Sequence, residues 1–213
     1  MGRDDNREPF DHEPTLAASS NAAVVYRRPV DKMTETPVAN WPPSTRGYFA
    51  IGAERMSKSL NLGNLMRSAH AFGASFTFTV GATYQALEAR ADTSKGRWHL
   101  PHYNWDSIDA MMLPEGCKLV GVELVEDAID LPSFRHPMRA AYVLGPEQGS
   151  LSQGLLSKCT YVVRIPTSFC VNVAMAGAIV MYDRVRSMGR FPDRPMREGG
   201  PEATLATRAK KRG

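Results

Sequence analysis

The chain reads as an α/β protein in which a mostly parallel sheet is flanked by helices. Three observations predict this. Short runs rich in β-branched and aromatic residues recur at 47–52, 76–80, 118–124, 141–144 and 161–165, and several of them stop at a glycine or proline. Between the first two runs, Leu65, Met66, Ala69 and Phe72 recur at helical spacing. The alternation of strand and helix continues to Tyr182, and alternation of that kind builds sheets of mainly parallel order.

Each element follows in turn. Residues 47–52 (GYFAIG) are expected to form a buried parallel strand. A polar loop rich in Ser, Asn and Gly leads into the first helix, and Gly73 is its natural stop. Residues 76–80 supply the second strand and complete a β-α-β unit. Residues 81–106 show little apolar periodicity and are expected to form a long loop carrying Arg90, Lys95, Arg97, Trp98, His99, His102, Tyr103 and Trp105. Interleaved cations and rings suit single-stranded nucleic acid, with charge for phosphate and rings for base stacking. Anchoring of the loop to the core by Trp98, Tyr103 and Trp105 explains the same residues equally well. Residues 107–113 are expected to form a short helix and 118–124 (KLVGVEL) the third strand. The run 141–144 ends at Gly145-Pro146, and the run 161–165 ends at Pro166. Residues 171–182 are apolar around the whole circumference except at Asn172, which predicts a helix buried on every side. Asn172 then needs a partner, because an unpaired amide in an apolar setting costs about 1–3 kcal/mol. A helix cap and a ligand-binding role both satisfy that need.

Three parts are expected along the 213 residues: a polar, mobile or surface-draped extension at 1–45, one domain at 46–189, and a basic tail at 190–213 ending RAKKRG. A hydrophobic fraction of 43% is enough for a substantial core. The net charge of +4 favours a polyanionic partner. Three cysteines without CxxC spacing indicate neither a disulfide framework nor a zinc site, and a reducing cytoplasm fits them best. MGRDDNREPF has charges with no apolar run behind them, unlike a signal peptide, and 171–182 is too short to span a bilayer, so no membrane partner is expected. No GxGxxG follows the first strand, which argues against a nicotinamide enzyme and a Rossmann-type methyltransferase. No Ser-His-Asp, P-loop or metal-ligand pattern is present, and His70, His99 and His102 lack metal-site spacing, so no metal is expected.

Three segments carry a resemblance. NLGNLMRSAHAFG (61–73), LGPEQGSL (144–151) and RIPTSFCVNVAMA (164–176) resemble, in order and spacing, the motifs of the SpoU/TrmH-like branch of the SPOUT methyltransferases. Members of that family transfer methyl from S-adenosylmethionine to the ribose 2′-hydroxyl of tRNA or rRNA. The resemblance covers roughly 47–189. It implies a deep C-terminal trefoil knot and a homodimer whose active site is completed by the partner. The small residues Ala174, Ala176, Gly177 and Ala178 would allow the close helix contact such a dimer needs.

By motif position the resemblance implies cofactor contacts at Val122, Gly145, Ile165 and Cys170, with Val171 and Ala174 as apolar wall. It implies catalytic roles for Arg67, Asn64, Glu147 and Asn172. An unperturbed guanidinium stays protonated, so Arg67 is expected to clamp phosphate and ribose oxygens rather than act as a base, with Glu147 and Asn172 holding that geometry. The chain departs from the family between Pro166 and Val171, where only Thr167-Ser168-Phe169 intervene and Cys170 stands at a serine position. A thiol is the poorer donor. RNA contacts are expected at Arg90, Lys95, Arg97, Lys210, Lys211 and Arg212. The compactness of the chain leans toward tRNA over rRNA. The competing expectation is a catalytically idle RNA-binding module that kept the fold.

Overall fold

The computed structural model describes residues 47–82, 99–189, 191–196 and 198. The elements in chain order are β1 (Tyr48–Glu54), α1 (Ser59–Ala71), β2 (Phe76–Val80), β3 (His102–Trp105), β4 (Lys118–Val122), β5 (Ile129–Asp130), a 3-10 turn (Leu131–Ser133), β6 (Arg139–Leu144), α2 (Gln153–Lys158), β7 (Tyr161–Arg164) and α3 (Val173–Met188). The seven strands form one sheet in the order β3-β2-β1-β6-β4-β7-β5, and every pair is parallel. Strands β6 and β7 each insert between strands that precede them in the chain, β6 between β1 and β4, β7 between β4 and β5.

The pleat sorts the core into two layers, because successive strand residues point to opposite faces. On one face Ile51, Val120, Tyr142 and Leu144 meet Leu62, Leu65 and Met66 of α1 and Ala174, Ala176, Val180 and Met181 of α3. On the other, Ala50, Phe78, Leu119, Ala141 and Val143 meet Leu151 and Leu155, with Ile108 and Met111 packed alongside. Helices α1 and α3 approach closely because Gly177 has no side chain: a Cβ there would lie 2.4 Å from Leu65 Cδ1. Among the described residues no helix is long and apolar enough to cross a membrane.

Four expectations are corrected. Residues 81–106 are not loop throughout, since β3 forms an edge strand of the sheet, pairing His102–Trp105 with β2. With His102 and Trp105 buried on opposite faces it shows no alternation of apolar and polar residues that a sequence pattern could reveal. The expected helix at 107–113 is a turn instead, closed by Ala110 N–H donating to Ser107 Oγ at 3.2 Å and by Met111 N–H donating to the Ile108 carbonyl at 3.3 Å. The third strand ends at Val122 rather than residue 124. Helix α3 is not buried on every side: Met175 is 59% and Tyr182 56% exposed in the single chain. The small residues Ala174, Ala176 and Gly177 face the chain's own core and not this open side. Arg90, Lys95, Arg97, Trp98, Lys210, Lys211 and Arg212 lie outside the described residues.

Candidate active site

A cleft of about 310 Å³ opens beyond the carboxyl ends of β4, β6 and β7, where parallel α/β sheets bind their ligands. Val122, Gly145, Ile165, Cys170 and Val171 line it, five of the six expected cofactor contacts. Ala174 does not, being turned into the core. Leu144, Val173 and Ala176 add apolar wall, and Lys58, Glu123 and Glu147 add charge. Gly145 is a position of close approach: a Cβ there would lie 3.2 Å from Leu151 N and 3.5 Å from Glu123 Oε2.

The three motif segments meet in one chain of hydrogen bonds beside the cleft. Lys58 starts α1 without a side-chain cap of its own. Glu147, brought in from the loop after β6, does that work. Its Oε1 accepts from Lys58 N–H at 2.9 Å, and its Oε2 accepts from Ser57 N–H and Ser57 Oγ, both at 3.0 Å. A carboxylate at a helix start meets unpaired N–H groups and the positive end of the helix dipole. Asn61 Nδ2 also donates to Glu147 Oε1 at 3.1 Å, and Asn172 Nδ2 donates to Asn61 Oδ1 at 3.1 Å. Asn172 Oδ1 in turn accepts from Ala174 N–H at 2.9 Å and caps α3. Of the two roles open for Asn172 in the sequence the cap is observed, since its oxygen caps the helix, and its nitrogen is left to join the network. For Glu147, burial alone would raise the pKa, but the donors from the Ser57 backbone, its own backbone, Asn61 and Ser57 Oγ together outweigh burial and hold it below the usual carboxylate value.

Of the four expected catalytic residues, Glu147 and Asn172 are thus joined. Asn64 and Arg67 sit on exposed positions of α1 and do not line the cleft. The residue that bridges the network is Asn61, three positions before Asn64 and buried. The signal for it was present in NLGNLMR, which holds two asparagines, but spacing alone does not say which one turns inward. Sequence reasoning also missed Glu54 and Glu123. Glu54, 2% exposed at the end of β1, accepts from Ser152 N–H at 2.8 Å. Glu123 Oε2, one residue beyond β4, accepts from Leu151 N–H at 2.7 Å.

Elsewhere, His102 is buried between Thr77 and Thr79. The Thr79 hydroxyl donates to Asn104 Oδ1, so it accepts from His102 Nε2–H, and Nδ1 accepts from Thr77. Burial pushes the imidazole down to about 4, in keeping with that neutral form. Trp105 is buried and stacks on Tyr103 with centroids 5.8 Å apart, which answers in favour of anchoring for these two rings. Among the described residues no group of three or more His, Cys, Asp or Glu is placed to hold a metal ion.

Comparison with known proteins is consistent with this geometry. The model of the SpoU rRNA Methylase family matches residues 48–182. The tRNA (guanosine(18)-2'-O)-methyltransferase TARBP1 of Mus musculus is 27% identical over 151 residues, which cover 64% of this chain and 9% of that protein. The SpoU methyltransferase AviRb from Streptomyces viridochromogenes in complex with AdoMet superposes with a TM-score of 0.61 at 24% identity, over 70% of this chain and 61% of that one. The AdoMet-bound rRNA methyltransferase from Sinorhizobium meliloti gives 0.58 at 25% identity, over 68% and 57%. The chain therefore spans less than two thirds of each of these relatives.

Proposed function

Because the chain belongs to the SpoU rRNA Methylase family, we propose that it is an RNA methyltransferase that uses S-adenosylmethionine to methylate a ribose 2′-hydroxyl, in tRNA rather than rRNA. The observation that carries this reading is the convergence of Glu147, Asn61 and Asn172 at the rim of a cleft at the strand ends. The lining fits the cofactor. Gly145 leaves backbone accessible to a close-lying ligand, while Val122, Ile165 and Val171 offer an apolar wall and Lys58 offers a cation.

Bound S-adenosylmethionine supplies an already electrophilic methyl group, so the protein's task is positioning and proton removal. Arg67 reaches out from α1 to clamp the ribose and its neighbouring phosphate. Glu147 fixes the start of that helix, and Asn61 and Asn172 tie it to the cofactor side. Cys170 stands on the cleft where a serine is usual and offers only a weak donor. The knot is read from the same family membership, and the insertion of β6 and β7 between earlier strands supports it.

The functional unit is a homodimer. Two observations support it: Met175 and Tyr182 form an exposed apolar side of α3, and Arg67, to which the family resemblance gives a catalytic role, stands outside the cleft of its own chain. The segments 1–45 and 190–213 are appendages to the domain, and Arg90, Lys95, Arg97, Lys210, Lys211 and Arg212 are its phosphate contacts.

The test is mass spectrometry of nucleosides from tRNA and rRNA with and without the gene, together with titration calorimetry of S-adenosylmethionine on the purified protein. Loss of one 2′-O-methylated nucleoside from tRNA is the expected outcome. Loss from rRNA alone overturns the substrate. Intact nucleosides in both RNAs, with no heat of cofactor binding, return the idle RNA-binding module.

A further inference from the structure

The loop after β6 runs from Gly145 to Ser152 and supplies Gly145, Pro146, Glu147 and Gly149 to the cleft. It closes on itself, since the Cβ position at Gly145 is 3.2 Å from Leu151 N and 3.5 Å from Ser150 C. Three successive backbone units at this neck are each held by a side chain from a strand end on one side or the other. Arg55 Nη2 donates to the Ser150 carbonyl at 2.9 Å, Leu151 N–H donates to Glu123 at 2.7 Å, and Ser152 N–H donates to Glu54 at 2.8 Å. The arrangement follows from strand order: β6 lies between β1, which ends at Glu54 and is followed by Arg55, and β4, which is followed by Glu123. Arg55 is also the one described non-glycine residue with a positive φ, at 48°. That conformation disfavours a side chain with a Cβ, and such strain persists where the surroundings enforce it, commonly beside functional sites. Here Arg55 N–H donates to the Val80 carbonyl at 2.7 Å and turns the guanidinium back over the loop.

We propose that Arg55, Glu54 and Glu123 are positioning residues for the cofactor, a clamp on Ser150–Ser152 that holds the Gly145–Gly149 cradle in the form that binds. The proposal rests on the cofactor reading above, and it assigns these residues no contact with the reacting atoms. A ligand that binds only the clamped loop loses apparent affinity in proportion to the clamped fraction, so lowering that fraction to one tenth raises Kd tenfold.

The experiment uses the full 213-residue chain and the variants Arg55→Ala, Arg55→Lys, Glu54→Gln and Glu123→Gln. Calorimetry gives Kd for S-adenosylmethionine and for S-adenosylhomocysteine, which lacks the sulfonium charge, and amide exchange is followed in the ligand-free protein. Arg55→Ala is expected to raise Kd about tenfold or more, and Glu54→Gln and Glu123→Gln, which keep one acceptor oxygen of the two, to raise it less, in each case equally for both ligands. Arg55→Lys, which keeps a donor, recovers most of the loss. Leu151 and Ser152 amides are expected to exchange about tenfold faster, with those of Tyr142 and Val143 unchanged. A lowered melting temperature with unchanged Kd makes the three residues purely structural and overturns the proposal. Selective loss of the sulfonium ligand in Glu123→Gln overturns it for Glu123, which then acts as a direct counter-charge. Arg55 is exposed, so its variants fold and decide the matter even where Glu54→Gln does not. A wild-type chain that binds neither ligand overturns the cofactor reading itself, and exchange at Leu151 and Ser152 then decides alone whether the clamp exists.

Discussion

Helix α3 carries a polar network at each end, and the two are built to opposite purposes. At its start, Asn172, Asn61 and Glu147 link three motif segments beside an open cleft, and much of their bonding goes to helix-start N–H groups. Near its end, Arg184 is 3% exposed and donates to the carbonyls of Pro137 at 2.6 Å and Met138 at 3.0 Å, and to Tyr142 Oη at 3.1 Å. The chain runs on through His136. Asp183 accepts from Nε2–H at 2.9 Å, which leaves Nδ1 to accept from the Tyr142 hydroxyl at 2.6 Å. None of the residues of this second network lines the cleft at the strand ends. Burial raises the Tyr142 phenol to about 12, so it remains a neutral donor. The difference teaches that a buried charge with every hydrogen bond inside the protein ties elements together, whereas a network ending at a cleft can also serve a ligand.

Removing Arg184 gives the largest expected effect. Arg184→Ala removes the guanidinium donors from the carbonyls of Pro137, Met138 and Tyr48 and from the Tyr142 hydroxyl, and a loss of about 4 kcal/mol in urea denaturation is expected. A loss below about 1 kcal/mol would erase the contrast between the networks.

Acid should separate them next. Desolvation lowers the pKa of His136 against the opposing pull of Asp183, and lowers His102 to about 4. Below the ordinary histidine value the unfolded chain therefore binds protons that the folded chain refuses, so stability falls as pH drops from about 6.5 to about 4. His102 alone accounts for about 3 kcal/mol of that fall. Glu147 is shifted down as a carboxylate, so its contribution is present above the usual carboxylate value and is lost only as pH falls through the lowered one. Denaturation midpoints measured across pH 7 to 4 should thus decline while the amides of Ser57 and Lys58 stay protected. Loss of that protection already near pH 6 would contradict the assignment.

At the open end the expected effects fall on turnover. Arg67→Ala should reduce methyl transfer to bulk tRNA by about a hundredfold, near 3 kcal/mol, while cofactor affinity stays within about 1 kcal/mol. Near-normal turnover would reduce Arg67 to a surface residue. The smallest and sharpest case is Asn172→Ser. Serine keeps the cap on α3 but cannot reproduce the bond to Asn61, so stability should hold within about 0.5 kcal/mol, while Asn172→Ala costs about 1 kcal/mol. If both variants destabilise equally, the cap is not what Asn172 contributes.

The sequence by itself determined the fold class, the parallel order, and the place of β1, β2, β4, β6, β7 and the start of α3 to within a few residues, and the resemblance carried by its motifs pointed to the cleft residues at Val122, Gly145 and Ile165. These depend on local information, namely apolar period, glycine and proline stops, and motif order. Only the tertiary structure decided which asparagine of NLGNLMR turns inward, that Glu147 caps a helix some ninety positions earlier in the chain, and that Glu54 and Glu123 grip the same loop from both sides. It also decided which side of α3 stays open, because 171–182 is apolar all round and only the docking of α1 against Gly177 selects the face that is buried. Such partners are fixed by strand order. Inserting β6 between β1 and β4 brings together side chains that no periodicity in the sequence connects.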